Sequence, residues 1–152
     1  MADRVFVDTN ILLRATLTHM PQHREAAAEL ARRRAAGDAL WISRQVIREL
    51  TANVTRPQTF YSPLSAVEVG DSVQVLTLSF QVADETAAVT AQLLALLREY
   101  PTGGKQVHDA NIVATMLVYG IGTLLTLNLD DMRRFAGRVA IVPLAAAPPA
   151  AG

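Results

Sequence analysis

The sequence predicts an α/β/α sandwich in which a mostly parallel central sheet of four to five strands is flanked by helices. The main observation is alternation: short apolar runs of strand length are separated by longer segments with helical periodicity, as in proteins with parallel sheets. The chain has 152 residues, of which 51% are hydrophobic and 18% are charged, enough for one domain with a well-filled core. We find neither an internal repeat nor a change of composition that would mark a linker.

The first half of the chain is predicted to contain two strands and four helices whose ends carry recognisable signals. Gly37 ends one helix, Ser43 is suited to cap the next, and Pro63 takes the first helical position after Ser62. In chain order we predict a strand over Arg4–Asp8, helices over Asn10–Thr18 and His23–Ala36, a strand over Leu40–Ile42, and helices over Ser43–Val54 and Ser62–Ser72.

The second half is predicted to contain a long helix capped by Asp84 and a more apolar helix ended by Gly120. In chain order we predict a strand over Val75–Leu78, helices over Asp84–Tyr100 and His108–Tyr119, a strand over Thr123–Thr126, a single turn over Asp131–Phe135 and a last strand over Val139–Val142. The segment Ala145–Gly152 consists of alanine, proline and a final glycine without periodicity, which predicts a disordered tail.

Composition narrows the classes of function. The chain has no cysteine, which excludes disulfides, zinc-thiolate sites and iron–sulfur clusters. No apolar run approaches the roughly 20 residues that span a bilayer, so we expect a soluble cytoplasmic protein without a membrane partner. The net charge is zero, but thirteen of the fourteen basic residues are arginine, the side chain best suited to bidentate phosphate contacts.

Acidic residues interrupt apolar segments at four separate places: Asp8, Glu49, Asp109 and the pair Asp130 and Asp131. Because ligands bind beyond the carboxyl ends of parallel strands, we expect these acids to face one edge of the sheet. Crowded carboxylates repel one another, and ligands that are all oxygen favour Mg²⁺ or Mn²⁺ over zinc. The pattern predicts an acidic pocket for a divalent cation, which suits hydrolysis of a nucleic acid backbone.

Several of these residues also have a simpler interpretation. Asp8 is a suitable N-cap for the helix that follows it, and Asp109 is a first-turn acid of the kind that the helix dipole favours. His108 is interpreted as a surface histidine, and the run Arg32–Arg34 as a solvated helix end. The basic residues near the acids, Arg14 among them, either lie on solvated helix faces or bind a phosphate.

Four segments together resemble a known family. They are Val5–Leu13, Ser43–Leu50, His108–Ala114 and Thr126–Met132. In order and spacing they resemble the motifs of PIN-domain ribonucleases, and in particular of the VapC-type toxins of bacterial and archaeal toxin–antitoxin pairs. Each segment alone is a weak signal, but four in order are specific, and the resemblance extends to about Val142. It implies a PIN domain over residues 1–144, with 145–152 as the tail.

The resemblance also implies a set of site residues. The acids implied to bind the cation, Mg²⁺ or Mn²⁺, are Asp8, Glu49, Asp109 and Asp131. The polar residues implied to support them are Thr9, Asn10, Ser43, Thr126 and Asn128. Asn128 stands where many relatives carry aspartate, so the fourth acid is open between Asp131 and its competitor Asp130.

In function, the resemblance implies a metal-dependent endoribonuclease that is the toxin of a type II toxin–antitoxin system. Its implied partners are an RNA substrate, a VapB-type antitoxin and a second copy of the chain. Two alternatives stay open. Asn128 allows a degenerate PIN-like domain that only binds RNA or protein. An aspartate-dependent phosphatase would use Asp8 as nucleophile, but Asn10 stands where that chemistry usually needs a second aspartate.

Overall fold

The fold was determined as a computed structural model, which describes residues 2–57 and 62–145. The five strands in this part of the chain are β1 (Arg4–Val7), β2 (Ala39–Ser43), β3 (Gln81–Ala83), β4 (Thr123–Leu125) and β5 (Ala140–Val142). They form one sheet in the order β3-β2-β1-β4-β5, and every neighbouring pair is parallel. The predicted α/β class with a mostly parallel sheet is confirmed.

Helices flank this sheet as an α/β/α arrangement requires. In the described residues they are α1 (Thr9–Thr16), α2 (His23–Ala35), α3 (Arg44–Val54), α4 (Ala66–Ser79), α5 (Ala87–Glu99), α6 (Gln106–Tyr119) and α7 (Leu129–Met132). A short 3-10 helix over Arg133–Phe135 follows α7 directly. Helix α1 packs against α2 and α3, and α5 packs against α6.

The central strand β1 determines where the sheet can bind a ligand. Val5, Phe6 and Val7 are fully buried, as expected for a strand covered on both faces. Phe6 lies in register with Trp41 of β2 on one side and with Leu124 of β4 on the other. The chain adds β2 and β3 on one side of β1 and then returns to add β4 and β5 on the other. The strand order therefore reverses between β1 and β4, where the following loops diverge and leave a crevice.

The third strand lies elsewhere than predicted. Val75–Leu78 is not a strand but part of the last turns of α4, and β3 follows only after that helix ends. The hydroxyl of Ser65 caps α4 by accepting a hydrogen bond from the backbone amide of Glu68 at 3.2 Å, so the helix also begins later than Ser62. A capped and continuous helix outweighs the β-propensity of its last apolar residues.

Other element boundaries differ from prediction for similar local reasons. Thr86, not Asp84, caps α5, because the Asp84 side chain instead accepts a hydrogen bond from Arg44 Nε at 2.9 Å. Helix α6 begins at Gln106, earlier than predicted. The predicted turn over Asp131–Phe135 is the end of α7 plus the 3-10 helix, which places Asp131 within a helix rather than at the start of a turn.

The arginine run at the end of α2 is only partly solvated. Arg32 and Arg34 are exposed, but Arg33 is buried. Its Nε lies 2.8 Å from Glu29 Oε1 and its Nη1 lies 3.4 Å from Asp38 Oδ2. A buried guanidinium needs such partners, and this one ties α2 to the turn before β2. The prediction of a solvated helix end is therefore wrong for Arg33.

The two ends of the predicted domain are only partly covered by the structure. Of the predicted tail 145–152, only Ala145 belongs to the described residues, so the rest of that prediction lies outside them. The domain boundary after residue 144 stays a prediction. Within the described ranges, no helix is both long enough and apolar enough to cross a membrane.

The end of α6 allows a test of the fold with a matched control. Gly120 has φ of 67°, and a Cβ at this position would lie 3.4 Å from Arg4 Nη1. Gly120→Ala should lower the free energy of unfolding by about 1–2 kcal/mol, because side chains disfavour left-handed backbone. Gly122→Ala, where a Cβ meets nothing within 4 Å, should change it by less than about 0.5 kcal/mol. Urea unfolding measures both, and equal effects would contradict this account.

Candidate active site

A cavity of about 420 Å³ opens beside the point where the strand order reverses. Its described lining residues are Asp8, Thr9, Asn10, Leu13, Arg14, Met20, Glu49, Asn53, Asp109, Ile112 and Asn128. Three of the four predicted acidic positions therefore face one cavity, and each comes from a different segment: the end of β1, helix α3 and helix α6. We call this the acidic cavity.

Asp8 lies at the centre of the acidic cavity's hydrogen bonds and is only 5% exposed. Its Oδ1 accepts a hydrogen bond from the backbone amide of Thr9 at 2.8 Å, so Asp8 is the N-cap of α1. Its Oδ2 accepts from the hydroxyl of Thr126 at 2.7 Å and from Asn10 Nδ2 at 3.4 Å. The backbone amide of Asn128 donates in turn to the Thr126 hydroxyl oxygen at 2.9 Å. Capping a helix and lining the cavity are thus compatible roles for this carboxylate.

Glu49 is partly buried on α3 and is held from both sides. Its Oε2 accepts a hydrogen bond from the hydroxyl of Thr9 at 2.6 Å, and its Oε1 accepts from Gln45 Nε2 at 2.9 Å. Ser43 contacts neither oxygen; it is fully buried and caps α3 by accepting from the amide of Val46 at 3.3 Å. Ser43 therefore supports Glu49 only through the helix that carries it.

Gln45 is a site residue that the sequence reasoning missed. It is buried, and besides its bond to Glu49 its Nε2 donates to the carbonyl of His108 at 2.9 Å, while its Oε1 accepts from Asn111 Nδ2 at 2.8 Å. It therefore joins α3 to α6 and holds Glu49 relative to Asp109. The available signal was its position one helical turn before Glu49, since such residues share a helix face.

Asp109 lies in the first turn of α6 and accepts no hydrogen bond from any described residue. Burial raises its pKa above the ordinary value, and the negative charge of Asp131 raises it further, while Arg134 opposes the shift and Glu49 adds to it. Arg134 donates from Nη1 to Gln106 Oε1 at 3.0 Å. Asp109 is therefore the acid whose oxygens are left most open to a ligand.

Burial raises the pKa of Asp8 to about 6. The hydrogen bonds from Thr126 and Thr9 lower it, but they do not offset the loss of solvent, and the charges of Glu49 and Asp109 raise it further. A carboxyl group whose pKa lies near neutral pH, in a cavity shared with other charged groups, is a common feature of functional sites. A cation in the cavity would remove the conflict among the three acids.

The two candidates for the fourth predicted acid lie outside the lining of the acidic cavity. Asp130 is exposed, and its Oδ1 accepts a hydrogen bond from Arg133 Nη2 at 3.1 Å. Asp131 is partly buried and close enough to Asp109 for its charge to shift that pKa. Neither residue lines the acidic cavity, whereas Asn128 does. The effect of its charge on Asp109 and its partial burial favour Asp131 over the exposed Asp130 as a neighbour of the three acids.

The oxygen donors in the cavity suit a divalent cation that keeps part of its water shell, rather than one coordinated entirely by protein side chains. Across residues 2–57 and 62–145, no three side chains of His, Cys, Asp or Glu stand close enough together to form a metal cluster. Mg²⁺ usually keeps several waters and binds through few carboxylates, so a tight cluster is not required. Oxygen donors without histidine or cysteine fit Mg²⁺ or Mn²⁺ better than zinc.

Comparison with known proteins identifies the family. The sequence matches the PIN domain over residues 5–138, a range that includes every acid of the cavity. This chain belongs to the PIN domain family. No curated protein sequence matches it.

Solved structures of toxin–antitoxin proteins share this PIN fold. The toxin–antitoxin complex from Klebsiella pneumoniae aligns with a TM-score of 0.63 and 22% identity, over 91% of this chain and 95% of that one. VapC20 from Mycobacterium tuberculosis, a sarcin–ricin loop cleaving toxin, aligns with a TM-score of 0.61 and 19% identity, over 86% and 94%. DNA-bound VapBC from Salmonella typhimurium aligns with a TM-score of 0.63 and 20% identity, over 93% and 98%. At such identities the likeness shows a common fold.

The raised pKa of Asp8 predicts how the stability of the metal-free PIN domain depends on pH. The pKa of the carboxyl is 3.8 in the unfolded chain and about 6 in the folded protein, so the native state binds more protons between these values. Native stability should therefore fall as the pH rises and Asp8 ionises. Relative to Asp8→Asn, the wild-type free energy of unfolding should fall by up to about 3 kcal/mol between about pH 4 and pH 7.

Urea unfolding with a chelator present, repeated across this pH range, measures the difference between the two proteins. A difference that does not change with pH would contradict the raised pKa. Asp130→Asn is the control, because Asp130 is exposed and its loss should leave the pH dependence unchanged.

Proposed function

We propose that this PIN domain is a metal-dependent endoribonuclease, the toxin of a type II toxin–antitoxin pair acting in the cytoplasm. The observation that carries the proposal is the convergence of Asp8, Glu49 and Asp109 on one cavity at the reversal of the strand order. Burial and the neighbouring negative charges raise the pKa values of Asp8 and Asp109, so their ionised forms destabilise the fold unless a cation joins them. Membership of the PIN family and the toxin–antitoxin proteins among the similar structures support the same reading.

Mg²⁺ or Mn²⁺ is the proposed cofactor, held by Asp8, Glu49 and Asp109. When bound, it would lower the pKa of a water molecule and offset the charge that develops on the phosphodiester. The chain's own groups keep the acids ready: the Thr126 hydroxyl and the Thr9 amide donate to Asp8 and favour its ionised form. The carboxylate of Asp109 accepts no hydrogen bond from the described residues, so its proposed role is to bind the cation and orient a water near the scissile bond. The proposed products carry a 5′-phosphate and a 3′-hydroxyl.

Asp131 is the proposed fourth acid. Its charge already acts on Asp109, so it would act on a cation bound beside Asp109 as well. Asp130 is the weaker candidate, because its side chain is 91% exposed and is paired with Arg133. Asn128 lines the cavity and offers a neutral amide in place of the acid common in relatives. We therefore assign Asn128 a supporting role.

The two alternatives have less support. A phosphatase that uses Asp8 as nucleophile would need a second acid nearby to protonate the leaving group. Asn10 instead donates to Asp8 Oδ2 and accepts from the backbone amide of Leu127 at 3.1 Å, so it fixes the loop after β4. A degenerate domain that only binds RNA or protein would not need Glu49 and Asp109 to be oriented toward one cavity.

The proposed protein partners are a VapB-type antitoxin and a second copy of this chain. Toxin–antitoxin complexes are among the similar structures, which supports the first partner. A second cavity, of about 410 Å³, lies between α1, α2 and α4 and is lined in part by Leu12, Leu30, Val75, Leu76 and Phe80. Such an apolar groove suits the apolar face of a partner helix.

Two isosteric variants test the catalytic role of the acids. Asp8→Asn and Asp109→Asn should each lower kcat for RNA cleavage with Mn²⁺ by about 100-fold or more, because each removes a negative ligand while keeping the shape of the side chain. Asp131→Asn should lower kcat by about tenfold, since it acts at the edge of the site. Cleavage of a labelled RNA by purified protein measures these rates.

Asp130→Asn is the matched control, because it removes the same charge from an exposed position two residues beyond the cavity-lining Asn128. It should cut RNA at nearly the wild-type rate. Wild-type rates from Asp8→Asn or Asp109→Asn, or undiminished cleavage in the presence of a chelator, would show that the proposed mechanism is wrong.

A further inference from the structure

The acidic cavity is also lined by a positively charged side chain. Arg14, in the last turn of α1, is the one basic side chain among the cavity's described lining residues. A guanidinium carries five N–H donors. In the described structure only one bond is made: Nη1 donates to the carbonyl of Asn10 at 3.0 Å, while Nε is buried without a partner. Arg14 therefore has donor capacity that the described protein groups do not use.

No carboxylate neutralises Arg14 in the described part of the chain. The two arginines on α3, the helix that carries Glu49, are paired: Arg44 with Asp84 at 2.9 Å and Arg48 with Glu85 at 3.2 Å. Arg14 forms no ion pair, and its charge is not among the groups that shift the pKa of Asp8. The positive charge is thus held in the acidic cavity without being used to balance the acids.

We propose that Arg14 binds a backbone phosphate of the RNA adjacent to the phosphate that is cut. This inference rests on the proposed function, because it assigns a substrate contact within the same cavity. A planar guanidinium suits phosphate oxygens, to which it can donate two parallel bonds. The apolar neighbours Leu13 and Met20 also line the cavity and strengthen the contact by excluding water.

The position of Arg14 on α1 explains why it contacts the adjacent phosphate. Arg14 lies in the last turn of α1, and its guanidinium reaches back to the carbonyl of Asn10, to which Nη1 donates at 3.0 Å. It lines the same cavity as Asp8, Glu49 and Asp109 but forms an ion pair with none of them. This arrangement suits a strand whose scissile phosphate lies at the acids while the next phosphate lies at Arg14.

RNA binding without cleavage tests the inference. The probe is a short single-stranded oligoribonucleotide with a 5′ fluorophore, titrated by anisotropy at several KCl concentrations with Ca²⁺ in place of Mg²⁺. Arg14→Met should weaken binding by about tenfold. It should also reduce the slope of log affinity against log salt by about 0.7, the value for one phosphate contact on a single strand.

The control is Arg98→Met, which makes the same change of charge at an exposed residue of α5. It should leave affinity within about twofold of wild type and the salt slope unchanged. Arg14→Lys should keep the salt slope but lose part of the affinity, because lysine keeps the charge without the planar pair of donors. Affinity for Mn²⁺, measured by calorimetry, should be no weaker in Arg14→Met than in wild type, because the variant removes a positive charge from the cavity.

Wild-type affinity and salt slope in Arg14→Met, an equal loss in Arg98→Met, or no RNA binding by the wild type would overturn the inference. So would a loss of Mn²⁺ affinity in Arg14→Met that matches its loss of RNA affinity. If Arg14→Met fails to fold, Arg14→Gln, which can still donate to the Asn10 carbonyl, gives the same comparison. If the wild type binds RNA through Arg14 but does not cut it with Mg²⁺ or Mn²⁺, the proposed function fails and the inference stands.

Discussion

The buried carboxylate of Asp8 is the group on which the rest of the site depends. It lies where β1 ends and α1 begins, and burial raises its pKa to about 6. The hydroxyl of Thr126, 118 residues later in the chain, donates to it at 2.7 Å. That contact exists because β4 pairs directly with β1 in parallel, so both strands end at the same edge. The reversal of strand order thus creates the crevice and also supplies the bond that holds the acid within it.

The other two acids depend on helices rather than on the sheet. Glu49 is reached by the hydroxyl of Thr9, the residue that follows Asp8, so α1 and α3 share one hydrogen-bonded unit. Gln45 extends that unit to the backbone of α6, where Asp109 lies. Nothing in the described residues neutralises the three acids together, and Arg14 remains unpaired beside them. The site therefore has three acids without a shared counter-ion and one arginine without a carboxylate partner. A cation bound by the acids and a phosphate bound by the arginine would balance these charges.

The sequence alone predicted a parallel sheet and the convergence of Asp8, Glu49 and Asp109 on one edge of it, because both follow from general rules. Apolar runs such as Val5–Val7 mark buried strands, and parallel strands bring Asp8 and Thr126 to one edge. It was insufficient where local pattern is ambiguous: Val75–Leu78 has the residues of a strand, but the helix capped at Ser65 continues through it. It also could not place Gln45 or distinguish Asp131 from Asp130, because those assignments depend on how α3, α6 and α7 pack against one another. Local periodicity carries no information about such contacts.

If the proposed function is correct, a divalent cation takes the place of the proton on Asp8. Calorimetric titration of the wild type with Mn²⁺, in buffers of different ionisation enthalpy, measures binding and proton release together. Near pH 6 we expect binding with the release of about half a proton per cation, and near pH 8 binding with almost none. Asp8→Asn should bind far more weakly and release fewer protons near pH 6 than the wild type. Absence of Mn²⁺ binding by the wild type, or equal binding and proton release by Asp8→Asn, would contradict the account.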